Sequence, residues 1–276
     1  ENMEEAGRID RALEFLPSDE ELLERRTQGQ PLTRPELSVL ISYSKAVLKE
    51  QLIDSDLGKD SYLANAVNTA FPQRLVEQYS DEVLSHRLHR EIMSTQVAND
   101  IVNRMGLNFV SRQAKATGAS AADVARAFIT VTEVFRLREL WEWIELLDHR
   151  VSSAVQMDMM LKLLRLVKRA TRWLLRNRRH ELAPTPLVEE FSAGLEQLRE
   201  AYPAMLRGSS AELYESAYDR YVEEGVGEEL ASRIAGTQLA YTGLGIIQAA
   251  KESEASLLDV ANLYFFIGER LELDWF

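Results

Sequence analysis

Ser18-Asp-Glu-Glu21, Thr33-Arg-Pro-Glu36 and Ser209-Ser-Ala-Glu212 repeat one arrangement, a hydroxyl residue followed three positions later by a glutamate. Such a pair closes the start of a helix. The hydroxyl accepts from the amide three residues on, and the carboxylate reaches back to the amide of the hydroxyl residue. Gly58, Gly106, Gly118, Gly208 and Gly225 stand where helices so begun should stop, since glycine turns into the left-handed region without a Cβ penalty. Pro72, Pro184, Pro186 and Pro203 interrupt the pattern between segments, because proline lacks the amide a helix interior needs. No stretch alternates with a period of two, and there is no Asn-Gly or Asp-Gly hairpin signal.

A chain punctuated in this way is all-α, a multi-helix array or bundle with no Rossmann domain. Helices are predicted over 9–26, 34–53, 60–70, 73–79, 81–105, 108–117, 121–148, 151–181, 185–201, 210–224, 227–251 and 255–273. No internal repeat or low-complexity linker divides them. The weakest seam is HELAPTP, residues 180–186. It suggests two helical lobes, 1–182 and 183–276. The chain opens on Glu1 and closes on Trp275-Phe276, so both ends read as cut from something larger, and those two aromatic residues are expected to pack against a missing neighbour.

Charge changes at the same seam. The net charge is -12, and residues 181–276 hold 18 acidic against 6 basic residues. That excess argues against nucleic-acid binding but permits a local basic patch. With 0 cysteines, disulfides, thiolate zinc and iron–sulfur ligation are excluded. The apolar runs are too interrupted to span a bilayer, and no signal peptide opens the chain. The expectation is a cytoplasmic protein that engages no membrane.

The stretch SHRLHREIMSTQVANDIVNRMG, residues 85–106, puts His86 and His89 three apart with Glu91 close behind. Arg87 and Arg90 flank them, and cations disfavour a bound metal; the metalloprotease pattern also spaces its histidines differently. A metal-dependent hydrolase built on His86, His89 and Glu91 is thus a weak rival, and no metal ligand is assigned. On a helical wheel Glu91, Thr95 and Asn99 fall on the face of Leu84, Leu88, Ile92, Ala98 and Val102, with a second apolar strip through Met93, Val97 and Ile101 and Arg90 beside it. A helix apolar on two sides is central, and the three polar groups then need partners from helix ends or an arginine.

Along 161–180, Lys162, Arg165, Lys168, Arg169, Arg172, Arg176 and Arg179 share one face, opposed by Met159, Leu163, Val167, Ala170 and Leu174. This is a surface helix with its apolar side in the core; Arg165, Arg169, Arg172 and Arg176 are candidates for contact with an acidic surface. Tyr214, Tyr218 and Tyr221 are expected to face the core with their hydroxyls at its rim, or else to border a groove. Leu140, Trp141, Trp143, Ile144 and Leu147 read as core, and Glu139, Glu142 and Glu145 as a solvated or arginine-paired face. Gly243-Leu-Gly245-Ile-Ile-Gln248 follows no strand and lacks a third small residue, so it is no dinucleotide fingerprint. Gly236, Gly243 and Gly245 instead suit close helix packing.

One set of blocks points further: IDRALEFLP near the start, LTRPELSVLISYSK after it, ANDIVNRMG at 98–106, FRLRELWEWIELLD at 135–148, RATRWLL at 169–175 and VANLYFFIGERLELDWF at the end. In this order and spacing the chain resembles the C-terminal helical region of the large bacterial NAD-specific glutamate dehydrogenases over nearly all its length. The resemblance implies a parent enzyme that oxidises L-glutamate with NAD to 2-oxoglutarate, ammonia and NADH. Its catalytic lysine and aspartate and its Rossmann segment lie upstream of the matched region. No catalytic or cofactor-binding residue therefore carries over; NAD belongs to the parent enzyme and none is expected on this chain. The implied role is structural, oligomeric or regulatory, with the catalytic domains of the same polypeptide and other subunits of a homo-oligomer as partners. The competing reading is a free-standing helical module that binds an acidic protein through the 162–179 stripe.

Overall fold

The computed structural model describes residues 2–57 and 65–271, and all of the regular structure in them is helical. In chain order the helices are α1 (Asn2–Glu5), α2 (Asp19–Thr27), α3 (Arg34–Ile53), α4 (Gln73–Gln78), α5 (Ser80–Leu84), α6 (His89–Met105), α7 (Phe109–Thr117) and α8 (Ala121–Val134). They continue as α9 (Leu137–Glu145), α10 (Ser153–Asn177), α11 (Pro184–Met205), α12 (Gly208–Glu223), α13 (Glu228–Ala235), α14 (Thr237–Ala240), α15 (Thr242–Ser253) and α16 (Leu257–Arg270). A 3₁₀ helix, Asn65–Ala70, precedes α4. The stop expected at Gly58, most of the 60–70 helix not covered by this 3₁₀ turn, and Trp275 and Phe276 lie outside the described residues. No helix among the described residues is long and apolar enough to cross a membrane.

The hydroxyl–glutamate pairs at Ser18 and Thr33 close α2 and α3 with both reciprocal hydrogen bonds in place. The third pair does not. Gly208, at φ +55°, lets α12 begin ahead of Ser209, so the helix starts without a side-chain cap. Gly106 and Gly118 end α6 and α7 with positive φ as expected. Pro203 does not break the chain; α11 runs through it to Met205. A proline in the last turn loses only one backbone bond before the helix ends anyway.

Several long predicted helices are divided, each for a local reason. The 9–26 helix starts at Asp19, because the Asp10 carboxylate accepts from the amides of Ala12 and Leu13 at 2.9 and 3.1 Å. This turn competes with helix, and Pro17 restricts the residue before it. The 81–105 helix breaks between Leu84 and His89, where His86 Nδ1 accepts from the Leu88 amide at 3.1 Å. The 121–148 helix breaks at Arg136, which sits at φ 51°. The 227–251 helix becomes α13, α14 and α15. At its two joints, Thr237 and Thr242 donate to the carbonyls of Ile234 and Leu239 at 2.7 and 2.6 Å.

The chain forms two compact units, 1–125 and 126–276, whose boundary falls within α8. The 180–186 seam lies inside the second unit, as the link from α10 to α11. In the first unit α3 packs along α6, with the 3₁₀ helix against α6 as well. Leu48, Leu52 and Val67 are buried there with Met93, Val97, Ile101 and Met105. Each such large side chain contributes about 1.5–3 kcal/mol on burial.

In the second unit the long α10 buries Met159, Leu163, Leu166, Val167, Ala170 and Leu174. This is the apolar face expected opposite its basic stripe. Leu140, Trp141 and Ile144 of α9 are core, whereas Trp143 and Leu147 are only half-buried. α11 lies close against α15 and α16. The approach depends on glycines: a Cβ at Gly243 would stand 2.7 Å from Leu195 Cδ2, and one at Gly194 would stand 2.9 Å from Ile247. Gly245 is in a different position, its Cβ site 3.9 Å from Trp173 Nε1, an ordinary contact.

Candidate functional site

The second unit holds a cavity of about 790 Å³. Three stretches of sequence converge on it. α10 supplies Lys162 and Arg169, seven residues apart and so within about 20° of the same bearing on the helix. The start and body of α12 supply Arg207, Tyr214 and Arg220, and the chain from α14 into α16 supplies Tyr241, Tyr264 and Glu269. Four cations thus line a space that takes a single carboxylate, and two of them, Arg207 and Arg220, lie in the acid-rich stretch 181–276.

The cationic wall is organised by Asp158. Its carboxylate accepts from Tyr221 Oη at 2.6 Å and is paired with the Arg220 guanidinium. Burial pushes the Asp158 carboxyl upward, but the hydrogen bonds from Tyr221 and Arg220 outweigh it, and the group lies below its ordinary range. Tyr221 is raised by burial and by its bond to the same carboxylate. Lys162 Nζ lies 4.8 Å from the centre of the Tyr221 ring. Burial lowers the Lys162 ammonium; Asp158 partly offsets that, while Arg220 and Arg165 lower it further. The ammonium is therefore held beside two guanidinium groups, and the carboxylate that offsets them is shared with Tyr221 and Arg220.

Across the cavity the Arg169 guanidinium sits over Tyr241, 5.3 Å from the ring centre. Tyr214 stacks on Tyr218 at 6.4 Å with 12° between the planes, and its hydroxyl lies 2.8 Å from Ser232 Oγ. The lone carboxylate, Glu269, lies at the start of α12, where its oxygen comes within 3.5 Å of the place a Gly208 Cβ would take. A helix start favours negative charge. Glu269 is thus placed against the backbone as well as beside the cations.

The residues singled out from sequence fall into two groups. On α6 the buried face is Met93, Ser94, Val97, Ala98, Ile101 and Val102. Leu88 is exposed and Ile92 only half-buried. The burial expected of Glu91 is therefore not realised; it is exposed, because the core takes the second apolar strip with only Ala98 and Val102 of the first. Thr95 is half-buried and donates to the Glu91 carbonyl at 2.7 Å, so its own helix satisfies it. Asn99 is half-buried. Arg90 donates to the Ser55 carbonyl at 2.6 Å, just past the end of α3. Here an arginine does meet a helix end, as the wheel suggested for its neighbours.

On α10, Arg165, Arg169, Arg172 and Arg176 are all exposed, and of these four only Arg169 lines the cavity. Among the described residues no group of three or more histidine, aspartate or glutamate side chains is placed to hold a metal ion. His86 lies outside α6, its ring 6.0 Å from that of Phe71. The sequence reading missed Arg207, Arg220, Tyr241 and Tyr264. The signal lay in the Tyr214–Tyr221 spacing and in the repeat of a cation from Lys162 to Arg169, but nothing local showed that the two faces meet.

The family model for the C-terminal region of glutamate dehydrogenase matches residues 29–276. The NAD-specific glutamate dehydrogenase of Halomonas elongata is 48% identical over 273 residues, 99% of this chain. That of Pseudomonas aeruginosa is 48% identical over 275 residues, and that of Mycobacterium tuberculosis 31% identical over 266. The chain spans 17% of the length of the first two relatives and 16% of the third. With the match covering nearly all of an all-helical chain, this chain belongs to the glutamate dehydrogenase C-terminal family.

Proposed function

We propose that this chain works as the non-catalytic helical domain of an NAD-dependent glutamate dehydrogenase. The parent reaction converts L-glutamate, NAD and water to 2-oxoglutarate, ammonia and NADH, with NAD held elsewhere in the polypeptide. The observation that carries this reading is the family match over 29–276, combined with a chain that accounts for 17% of its relatives' length. The domain supplies rigid helical surface to the catalytic domains of the same polypeptide and to other subunits of a homo-oligomer in the cytoplasm. The exposed edge of α10, with Arg165, Arg172 and Arg176, offers a contact for an acidic surface of that assembly. Such a buttress sets how far catalytic domains open and close, and so affects turnover without touching substrate.

Two measurements test this. The purified 276-residue chain should be strongly helical by circular dichroism and should show no glutamate-dependent formation of NADH; robust activity from it would overturn the reading. The full-length enzyme lacking this segment should change in subunit assembly or turnover. If both stay the same, the domain has no such role.

A further inference from the structure

We propose that the cavity between α10, α12 and α16 is a binding site for a small polyanion carrying a flat ring, the chemistry of a nucleoside polyphosphate. The proposal rests on the lining of the cavity and does not depend on the parent reaction.

The charge argument comes first. Lys162 and Arg169 from α10 and Arg207 and Arg220 from the start and body of α12 reach one space. Only one of them is neutralised by a close ion pair among the contacts described, Arg220 with Asp158. Asp158 is also the acceptor for Tyr221 and the acidic group that offsets the lowering of Lys162. Asp158 thus serves three groups and Glu269 is the one carboxylate in the lining, so four cations against these two leave the cavity an excess of positive charge. A chain of net charge -12 that concentrates cations in one concavity is arranged to attract an anion. Arginine forks match phosphate oxygens in pairs, and each such bond is charge-assisted.

Size and lining then narrow the ligand. About 790 Å³ is far more than one inorganic anion fills and lies within the range of small-molecule pockets. The rest of the wall is aromatic. Tyr214 and Tyr264 border the space, and Tyr241 lies beneath the Arg169 guanidinium. Tyrosine faces beside guanidinium planes stack a flat ring whatever its edge pattern, while Ser210 and Gln238 add hydrogen-bonding groups. The acidic groups would lie along Lys162, Arg169 and Arg207, with the ring on the tyrosines.

The test is calorimetric titration of the 276-residue chain at fixed ionic strength without divalent cations. The probes are ATP, inorganic tripolyphosphate (the anion without the ring) and adenosine (the ring without the anion). ATP should bind one to one, at least about tenfold more tightly than either fragment probe. The exposed pair Arg169→Gln with Arg207→Gln should weaken ATP about tenfold or more. Arg176→Gln with Arg179→Gln, on the same stripe but away from the cavity, should leave it unchanged. A second variant, Tyr264→Leu, should remove the preference for ATP over tripolyphosphate. Circular dichroism checks that each variant keeps its helicity. Tripolyphosphate binding as tightly as ATP, adenosine binding as tightly as ATP, no ATP binding at millimolar concentration, or equal loss from the two arginine pairs would each overturn the proposal.

Discussion

Arg233 and Glu139, 94 positions apart in sequence, meet at 2.9 Å, the guanidinium only 7% exposed and the carboxylate 31%. The same arginine donates to the Phe135 carbonyl at 3.2 Å and lies over the Trp143 ring, 5.5 Å from its centre. It therefore ties α13 to the point where the chain turns from α8 into α9. Arg233→Ala would leave the Phe135 carbonyl without this donor and the part-buried Glu139 carboxylate with Arg136 as its remaining partner. The expected loss is about 1–3 kcal/mol, read as a lower midpoint in urea unfolding. Arg233→Lys should recover only a fraction, since an ammonium can reproduce neither the fork nor the stacking.

Gly243 and Gly245 make a matched pair on α15. Alanine at 243 would collide with Leu195 and crowd Tyr202, so Gly243→Ala should destabilise by about 1–3 kcal/mol, despite the better helix former. At 245 the added methyl meets only an ordinary contact. Gly245→Ala should then be neutral or stabilising by up to about 1 kcal/mol. Thermal unfolding of the two variants should move in opposite directions.

Asp158 links acidity to the cavity wall. Its carboxyl is depressed in the folded chain, so its contribution is present above the ordinary carboxylate value of 3.8 and is lost as pH falls through the lower folded value. Asp158→Asn should cost about 1–2 kcal/mol at pH 7, from the weakened bonds of Tyr221 and Arg220. The gap from the parent chain should narrow steadily below pH 4. Melting temperatures of both chains between pH 7 and pH 3 check the sign; a gap that widens toward low pH would refute it.

Ser120 and Asp123 cap α8 reciprocally: the Asp123 amide donates to Ser120 Oγ at 3.1 Å, and the Ser120 amide donates to Asp123 Oδ2 at 3.2 Å. Ser120→Ala should cost about 1 kcal/mol, measurable in denaturant unfolding. Helicity at zero denaturant should be unchanged.

The residues explain how far sequence reading reaches. α3 was legible to its ends, because Thr33 and Glu36 close it at the start and its apolar pattern runs unbroken to Ile53. The Ser120–Asp123 cap escaped because aspartate stands where a glutamate was sought. The breaks at His86 and Arg136 were invisible, since an imidazole that accepts a backbone amide and an arginine at positive φ leave no periodic trace. Gly194 was passed over because its constraint is Ile247, 53 positions on. The wheel for α6 identifies both apolar strips but cannot say where the buried face is centred; the structure buries Met93, Val97 and Ile101 with Ala98 and Val102 and leaves Leu88 exposed. The cavity was least legible, because its parts lie on stretches whose mutual placement is tertiary.

Lys162 and Arg169 share a bearing because seven residues come close to two full turns of helix. The stripe on α10 is thus two populations laid side by side, and its composition understates the difference between them. A charge lost at Arg165 or Arg176 alters how the surface looks to a passing molecule. A charge lost at Lys162 or Arg169 alters the lining of a cavity. Inserting one residue between positions 162 and 169 would preserve every charge, the net charge and the helix itself, yet swing one of these cations about 100° out of the cavity. On this helix, phase carries information that a residue count does not.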